Sequence, residues 1–124
     1  MGEAGLDLAS LFPDWEEFER PSVDLVSEEL KIERVELDPK KDGRRVVVGV
    51  VVALTHEHPD LEIVILTPGG RVVAETCIVE VRNVRQVLTL HLRHSEPSLT
   101  YTVKVGLFLE DELVDAHEAK LTWP

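Results

Sequence analysis

The residues of this chain that could do chemistry begin with two histidines and a carboxylate in one short segment. His56, His58 and Asp60 stand at alternate positions. Imidazole nitrogens and carboxylate oxygens are common zinc ligands, and a tight loop can hold them around one metal ion. One hypothesis is therefore a small metal-binding protein or a metal-dependent hydrolase that uses this loop.

The segment Thr55-His56-Glu57-His58-Pro59-Asp60 resembles the Thr-His-x-His-x-Asp-His signature of the metallo-β-lactamase superfamily, which also follows a β-strand. The resemblance implies that His56 and His58 bind one metal ion and that Asp60 binds a second. The sequence departs from the signature at its last position, where Leu61 replaces the histidine, and a strand pattern follows instead of a helix. We therefore interpret residues 58–60 as the turn of a hairpin loop, and predict no metal ligand, cofactor or catalytic residue.

The other reactive groups in the sequence are isolated. His91 and His94 are three positions apart, which places them on opposite faces if a strand continues through them. The acid pair Asp111-Glu112 falls in a predicted turn, where water keeps both carboxylates ionised. Cys77 is the single cysteine and belongs to an apolar run over 77–79, so we predict a small buried side chain and no disulfide within the chain.

Composition restricts the class of protein. The chain has 124 residues, of which 44% are hydrophobic, and a formal net charge of −11. This length suits one domain that buries a core without disulfides or metal, and the charge repels nucleic acids and anionic membranes, so we expect neither as a partner. One asparagine and one glutamine among 30% charged residues are typical of heat-adapted proteins. The lack of a basic, apolar leader predicts a cytoplasmic protein.

Residues 1–29 differ from the rest and are predicted to form an arm with a short helix. Pro13 suits the first turn of that helix, and Pro21 ends it. The apolar residues of the arm that we assign to an interface are Leu11, Phe12, Trp15 and Phe18. The spacing i, i+4 and i+7 places Leu11, Trp15 and Phe18 on one helical face. A helix this short is marginal in water, so we expect it to dock on another surface.

From residue 30 onward the pattern predicts strands that form a β-sandwich domain over residues 30–124. Seven segments of alternating or continuous apolar residues are separated by turn-forming residues. They are Leu30–Leu37, Arg45–Leu54, Leu61–Thr67, Arg71–Val81, Gln86–Leu92, Leu99–Leu109 and Glu112–Trp123. Because no helical pattern separates them, we predict an all-β, antiparallel sandwich.

Residues 22–123 resemble immunoglobulin-like and fibronectin type III-like accessory domains of bacterial proteins. The resemblance rests on three features, which are the opening Val23–Val26, the hairpin Leu61–Val73 and the strand pair Leu99–Val105 with Glu112–Asp115. Tyr101 stands where that fold has its corner tyrosine. The paired cysteines and the core tryptophan of antibody domains are absent. The resemblance implies an immunoglobulin-like fold and a non-catalytic spacer, adaptor or binding platform. A carbohydrate-binding role is an alternative, for which the sandwich offers Tyr101, Phe108 and Trp123, with Phe108 on an outward face.

The second predicted strand is apolar on both faces. The side chains predicted to enter the core are Val46, Val48, Val50, Val52 and Leu54. Val47, Gly49, Val51 and Ala53 then point outward, where an open sandwich has polar residues. We expect the arm of the same chain or of a second copy to cover them. The sequence thus predicts a non-enzymatic protein-interaction module, a homodimer or a binder of another protein, that uses the arm together with Val47 and Val51.

Overall fold

The computed structural model describes residues 29–124, which form seven strands. They are β1 (Lys31–Pro39), β2 (Arg45–Ala53), β3 (Asp60–Leu66), β4 (Val72–Ile78), β5 (Arg85–His91), β6 (Tyr101–Leu109) and β7 (Glu112–Leu121). One antiparallel sheet has the order β1-β2-β5 and the other β4-β3-β6-β7. The seven predicted strands are confirmed, and the predicted helix lies outside the described residues. No helix within residues 29–124 is long and apolar enough to cross a membrane.

Alternation along the central strands decides which side chains form the core. Val46, Val48, Val50 and Val52 of β2 are fully buried, as predicted. The other sheet contributes a second set of buried side chains, which are Leu61, Ile63, Ile65, Tyr101, Val103, Val105 and Leu107. These inward-facing residues lie between the two sheets, and their apolar surface is removed from water by the facing layer.

Tyr101 and Trp123 fix one corner of the sandwich. The Tyr101 hydroxyl accepts a hydrogen bond from the Glu96 N–H at 2.7 Å and donates one to the Glu96 carbonyl at 3.1 Å. The Trp123 ring packs edge-on against Tyr101, with centroids 5.8 Å apart, and its Nε1 donates to the Lys40 carbonyl at 2.7 Å. Both rings are buried, so neither is available as a platform for a sugar.

The turn between β1 and β2 is held by one carboxylate. Asp42 accepts hydrogen bonds from the N–H groups of Arg44 and Arg45, at 2.9 and 3.1 Å, and from Nε of Arg45 at 2.7 Å. These bonds, that of the Arg44 N–H first, lower the pKa of Asp42 to about 2. Gly43 follows with φ +72°, and its carbonyl accepts a hydrogen bond from the Ser95 hydroxyl at 2.6 Å.

The two turns predicted around β3 have different outcomes. The hairpin at residues 67–71 is confirmed: β3 pairs with β4, Gly70 has φ +90°, and its N–H donates to the Thr67 carbonyl at 2.9 Å. The hairpin loop predicted around residues 58–60 is wrong, because β2 and β3 belong to different sheets. The chain crosses between the layers there.

Candidate interaction surfaces

The histidine loop lies on this crossing between the sheets. His56 and His58 are exposed there. Asp60 begins β3, and its Oδ1 accepts a hydrogen bond from the Glu80 N–H at 3.0 Å. Within residues 29–124 no three His, Cys, Asp or Glu side chains are grouped so that they could hold a metal ion. The geometry therefore gives Asp60 a structural role, which is to tie the start of β3 to the end of the β4 segment.

Cys77 is exposed, so the prediction of a buried side chain is wrong. In β4 it pairs with Glu62 of β3, on the face that points away from the core. The prediction rested on the apolar run at 77–79, but this run is not buried, since Val79 is exposed as well. Desolvation first, and then the charges of Asp60 and Glu62, raise the pKa of the Cys77 thiol. A raised pKa lowers the thiolate fraction at neutral pH, and with it the reactivity of the sulfur.

The outward residues of β2 form an apolar surface on the three-stranded sheet. We call this surface the valine face and define it as Val47, Gly49, Val51 and Ala53. Val47 is only 6% exposed and Ala53 only 9%, Gly49 is buried, and Val51 is half-buried. Both predicted interface residues of the sandwich therefore lie on one face. The other four, Leu11, Phe12, Trp15 and Phe18, lie outside the described residues, and their part in an interface stays a prediction.

Charged side chains of β1 line one side of the valine face. Asp38 pairs with Val47 and Arg34 with Val51 in the sheet register. Nζ of Lys40 lies 3.4 Å from a carboxylate oxygen of Asp38, and Nε of Arg34 lies 3.5 Å from one of Glu36. The aliphatic parts of such long side chains cover neighbouring apolar surface while their charged ends reach the edge of the sheet.

The outer face of the four-stranded sheet has a different surface. We call it the groove face and define it as Val64, Leu66, Gly106, Phe108 and Leu113. A Cβ at Gly106 would lie 2.9 Å from Cε1 of Phe108 and 3.3 Å from Cδ1 of Leu113, so these two side chains lie over the glycine. Beside them is a shallow groove of about 530 Å³. Its charged lining residues include Glu62, Lys104 and Glu118. Leu113 is 54% exposed.

The amino-acid sequence alone does not predict this groove. Phe108 was placed correctly on an outward face, and Gly106 two positions earlier was the available signal, because a glycine within a strand often marks a close approach of another group. The remaining members come from β3 and β7, and only the sheet register brings them beside Gly106.

Comparison with known proteins shows a similarity of fold. No protein-family model matches the chain, and no curated protein sequence is similar to it. Part of a glycosyl hydrolase family 2 member from Bacteroides cellulosilyticus is similar to 75% of this chain, with a TM-score of 0.57 and 18% identity. The corresponding values are 77%, 0.61 and 16% for a β-glucuronidase from Bifidobacterium dentium, and 77%, 0.57 and 19% for one from Ruminococcus gnavus.

The chain matches only a small part of these structures. It covers 14% of the Bacteroides chain, 18% of the Bifidobacterium chain and 16% of the Ruminococcus chain. At these identities the similarity shows the fold, and the fold alone does not assign an activity. The described residues are thus an all-β unit similar to one part of larger glycoside hydrolase structures.

Proposed function

We propose that the chain is a non-enzymatic protein-interaction or structural module. It self-associates through the valine face and through residues 11–20 of the arm, which we call the front segment. The observation that carries the proposal is the valine face: four apolar residues point away from the core, and Val47 is buried nonetheless. A continuous apolar surface outside a core is typical of a contact with another protein surface. The contacts that we propose from the front segment are those of Leu11, Phe12, Trp15 and Phe18.

We also propose that the sandwich is immunoglobulin-like, with the strand arrangement of fibronectin type III domains. The order β1-β2-β5 facing β4-β3-β6-β7 supports this. The Tyr101 hydroxyl supports it too, because it bonds to the backbone of Glu96, five residues upstream, as the corner tyrosine of that fold does. Domains of this class act through the surfaces they present, and the valine face is such a surface.

Light scattering on the full chain tests the self-association. We expect the wild-type protein to have the mass of a dimer, and Trp15→Ala with Phe18→Ala to shift the mass toward that of a monomer. The matched control is Val64→Ala with Leu113→Ala, which removes apolar side chains from the groove face and should leave the dimer intact. A wild-type protein that stays monomeric at every concentration contradicts this part of the proposal.

A second candidate function is that of an accessory domain within a larger glycoside hydrolase. The fold similarity to one part of family 2 and β-glucuronidase structures favours it. In that role the apolar outer faces would pack against neighbouring domains and would take no part in the chemistry. Mass spectrometry of the native protein distinguishes the two functions. A polypeptide of 13.9 kDa supports the free module, and the same peptides in a much larger polypeptide support the accessory domain.

A further inference from the structure

Basic residues gather at one end of the valine face. Val51 lies between Arg34 of β1 and Arg85 of β5. Neighbouring strands are about 4.8 Å apart, so the backbones at the two arginines are separated by about 10 Å across Val51. In the next outward row, Lys31 pairs with Ala53. Lys31 and Arg34 of β1 thus meet Arg85, which is distant in the sequence, on one face of a chain whose net charge is −11.

The other end of the valine face has acidic neighbours. Glu36 and Asp38 of β1 pair with Gly49 and Val47. Along the β1 edge the charge therefore changes sign, from Asp38 and Glu36 to Arg34. The guanidinium of Arg45, at the start of β2, is held by Asp42 at 2.7 Å. An apolar ligand that also carries carboxylates is favoured over Val51, where it meets opposite charge, and disfavoured over Val47.

The front segment of the same polypeptide has the complementary chemistry. It combines the apolar side chains of Leu11, Trp15 and Phe18 with four acids, and Arg20 is its first basic residue. The acids are Asp14, Glu16, Glu17 and Glu19. The apolar side chains suit the valines of β2. The carboxylates suit arginine, whose planar guanidinium can donate two parallel hydrogen bonds to one carboxylate.

The front segment is connected to the sheet at the basic end of the valine face, where β1 starts. The described chain enters the sheet at Lys31, which pairs with Ala53. Phe18 precedes Lys31 by thirteen residues, which span at most about 45 Å when fully extended. The distance from β1 to β5 across the sheet is only about 10 Å. The segment can therefore reach its own sheet or that of an adjacent copy.

We infer that the acidic front segment, residues 11–20, docks on the Val51 end of the valine face with its carboxylates against Arg34 and Arg85. The inference rests on the proposed function for the choice of surface. Beyond that function, it specifies which end of the valine face the segment contacts and which charge pairs stabilise the contact. It holds for a sheet of the same chain and for the sheet of a second copy.

Trp15 reports the docking in the full chain. The other tryptophan, Trp123, is buried in the sandwich, and the difference in emission between the wild type and Trp15→Phe isolates Trp15. We expect this emission at short wavelength and protected from acrylamide. In Arg34→Glu with Arg85→Glu the docking equilibrium should fall about ten-fold, because two partly exposed ion pairs are replaced by repulsion. Acrylamide quenching of Trp15 should rise accordingly.

The matched control is Lys104→Glu with Lys120→Glu. It makes the same change of charge on the outer face of the other sheet, and it should leave the quenching of Trp15 unchanged. If the arginine reversal unfolds the protein by circular dichroism, Arg34→Gln with Arg85→Gln removes the charges without introducing repulsion. This variant should raise the quenching in the same direction.

A charge swap gives the strongest support. Adding Glu16→Arg and Glu17→Arg to the arginine reversal should restore the protection of Trp15, which a merely structural role of the arginines would not do. The inference is overturned by a wild-type Trp15 that is quenched as freely as in the unfolded chain, or by control and reversal variants that lose protection equally.

Solution mass, measured on the same samples, separates this inference from the proposed function. Protection of Trp15 in a monomer supports docking on the chain's own sheet and contradicts self-association. Protection that appears only as the dimer forms supports both. A dimer whose Trp15 is unprotected overturns the docking and leaves self-association through another surface.

Discussion

The outer faces of the two sheets are both formed by alternate residues of their strands, but they differ in the polarity of their side chains. On the valine face, the four outward residues of β2 from Val47 to Ala53 are apolar, and Val47 and Ala53 are buried. On the groove face, charged outward residues such as Glu62 and Lys104 lie beside the apolar ones, and Leu113 stays 54% exposed. A strand that is apolar on both sides creates a second apolar surface, which is stable when covered. A mixed surface tolerates water.

The largest expected effect compares a carboxylate placed on each face. Val47→Asp should lower the free energy of unfolding by about 3 kcal/mol, because the new charge replaces a buried side chain and stands beside Asp38. Val64→Asp, on the half-buried groove face between Lys104 and Glu75, should cost only about 1 kcal/mol. Urea denaturation of both variants measures the difference. Equal losses would remove the distinction between the two faces.

A substitution in the core, between the two outer faces, gives a reference value for these losses in the free energy of unfolding. Tyr101→Phe removes both hydrogen bonds to Glu96 and leaves a backbone N–H without that partner. The loss should be about 2 kcal/mol, below that of Val47→Asp and above that of Val64→Asp. The same urea titrations test this order, with circular dichroism as the control for an unchanged fold. A neutral Tyr101→Phe would show that the corner contributes little.

Alanine substitutions at two glycines compare the groove face with the turn between β1 and β2. A methyl group at Gly106 meets only the ends of Phe108 and Leu113, which can move, so Gly106→Ala should cost less than about 1 kcal/mol. Gly43→Ala should cost about 1–2 kcal/mol, because φ is +72° and Cγ of Pro97 would lie 2.7 Å from the new atom. Thermal melts of both variants test the order. A large loss at Gly106 would mean that its neighbours are held rigidly.

The turn beside the valine face should respond to acid. The pKa of Asp42 falls from its ordinary 3.8 to about 2 in the folded chain, so its carboxylate stabilises the fold above pH 3.8. That contribution disappears as the pH falls through about 2. Asp42→Asn should therefore melt below the wild type at pH 7, and the difference should vanish near pH 2. A difference that is independent of pH would contradict the assignment.

The smallest effect concerns the thiol beside the groove face. Cys77 is exposed, so iodoacetamide should label it completely in the folded protein. The raised pKa of the thiol predicts a slower rate than that of a free thiol at pH 7 and a steep increase as the pH rises. The rate against pH, with Cys77→Ala as the blank, measures this. Labelling only after unfolding would restore the prediction of a buried sulfur.

The strands and the core were predictable from the sequence because both depend on local periodicity. Val46, Val48, Val50 and Val52 alternate with their neighbours, and a period of two fixes which side chains share a face. The turn at residues 67–71 was equally local, since Gly70 adopts the positive φ that its neighbours avoid. The candidate interface was predictable only in part: the sequence identified Val47 and Val51 as outward and apolar.

Other features depend on pairing between distant segments. Cys77 stands in an apolar run, but the register of β4 with β3 turns its side chain outward. The basic end of the valine face required β1 and β5 to lie on either side of β2, because Arg34 and Arg85 look scattered in the sequence. The groove over Gly106 needed three strands in one register.

The sequence by itself determined the number of strands, the buried side of β2 and the reversal at Gly70, because each follows from residues within a few positions of one another. The tertiary structure alone decided that the chain crosses between sheets after Ala53, that two arginines flank Val51, and that the two outer faces differ. These outcomes follow from which strands become neighbours, and a sheet makes neighbours of residues that the chain keeps far apart.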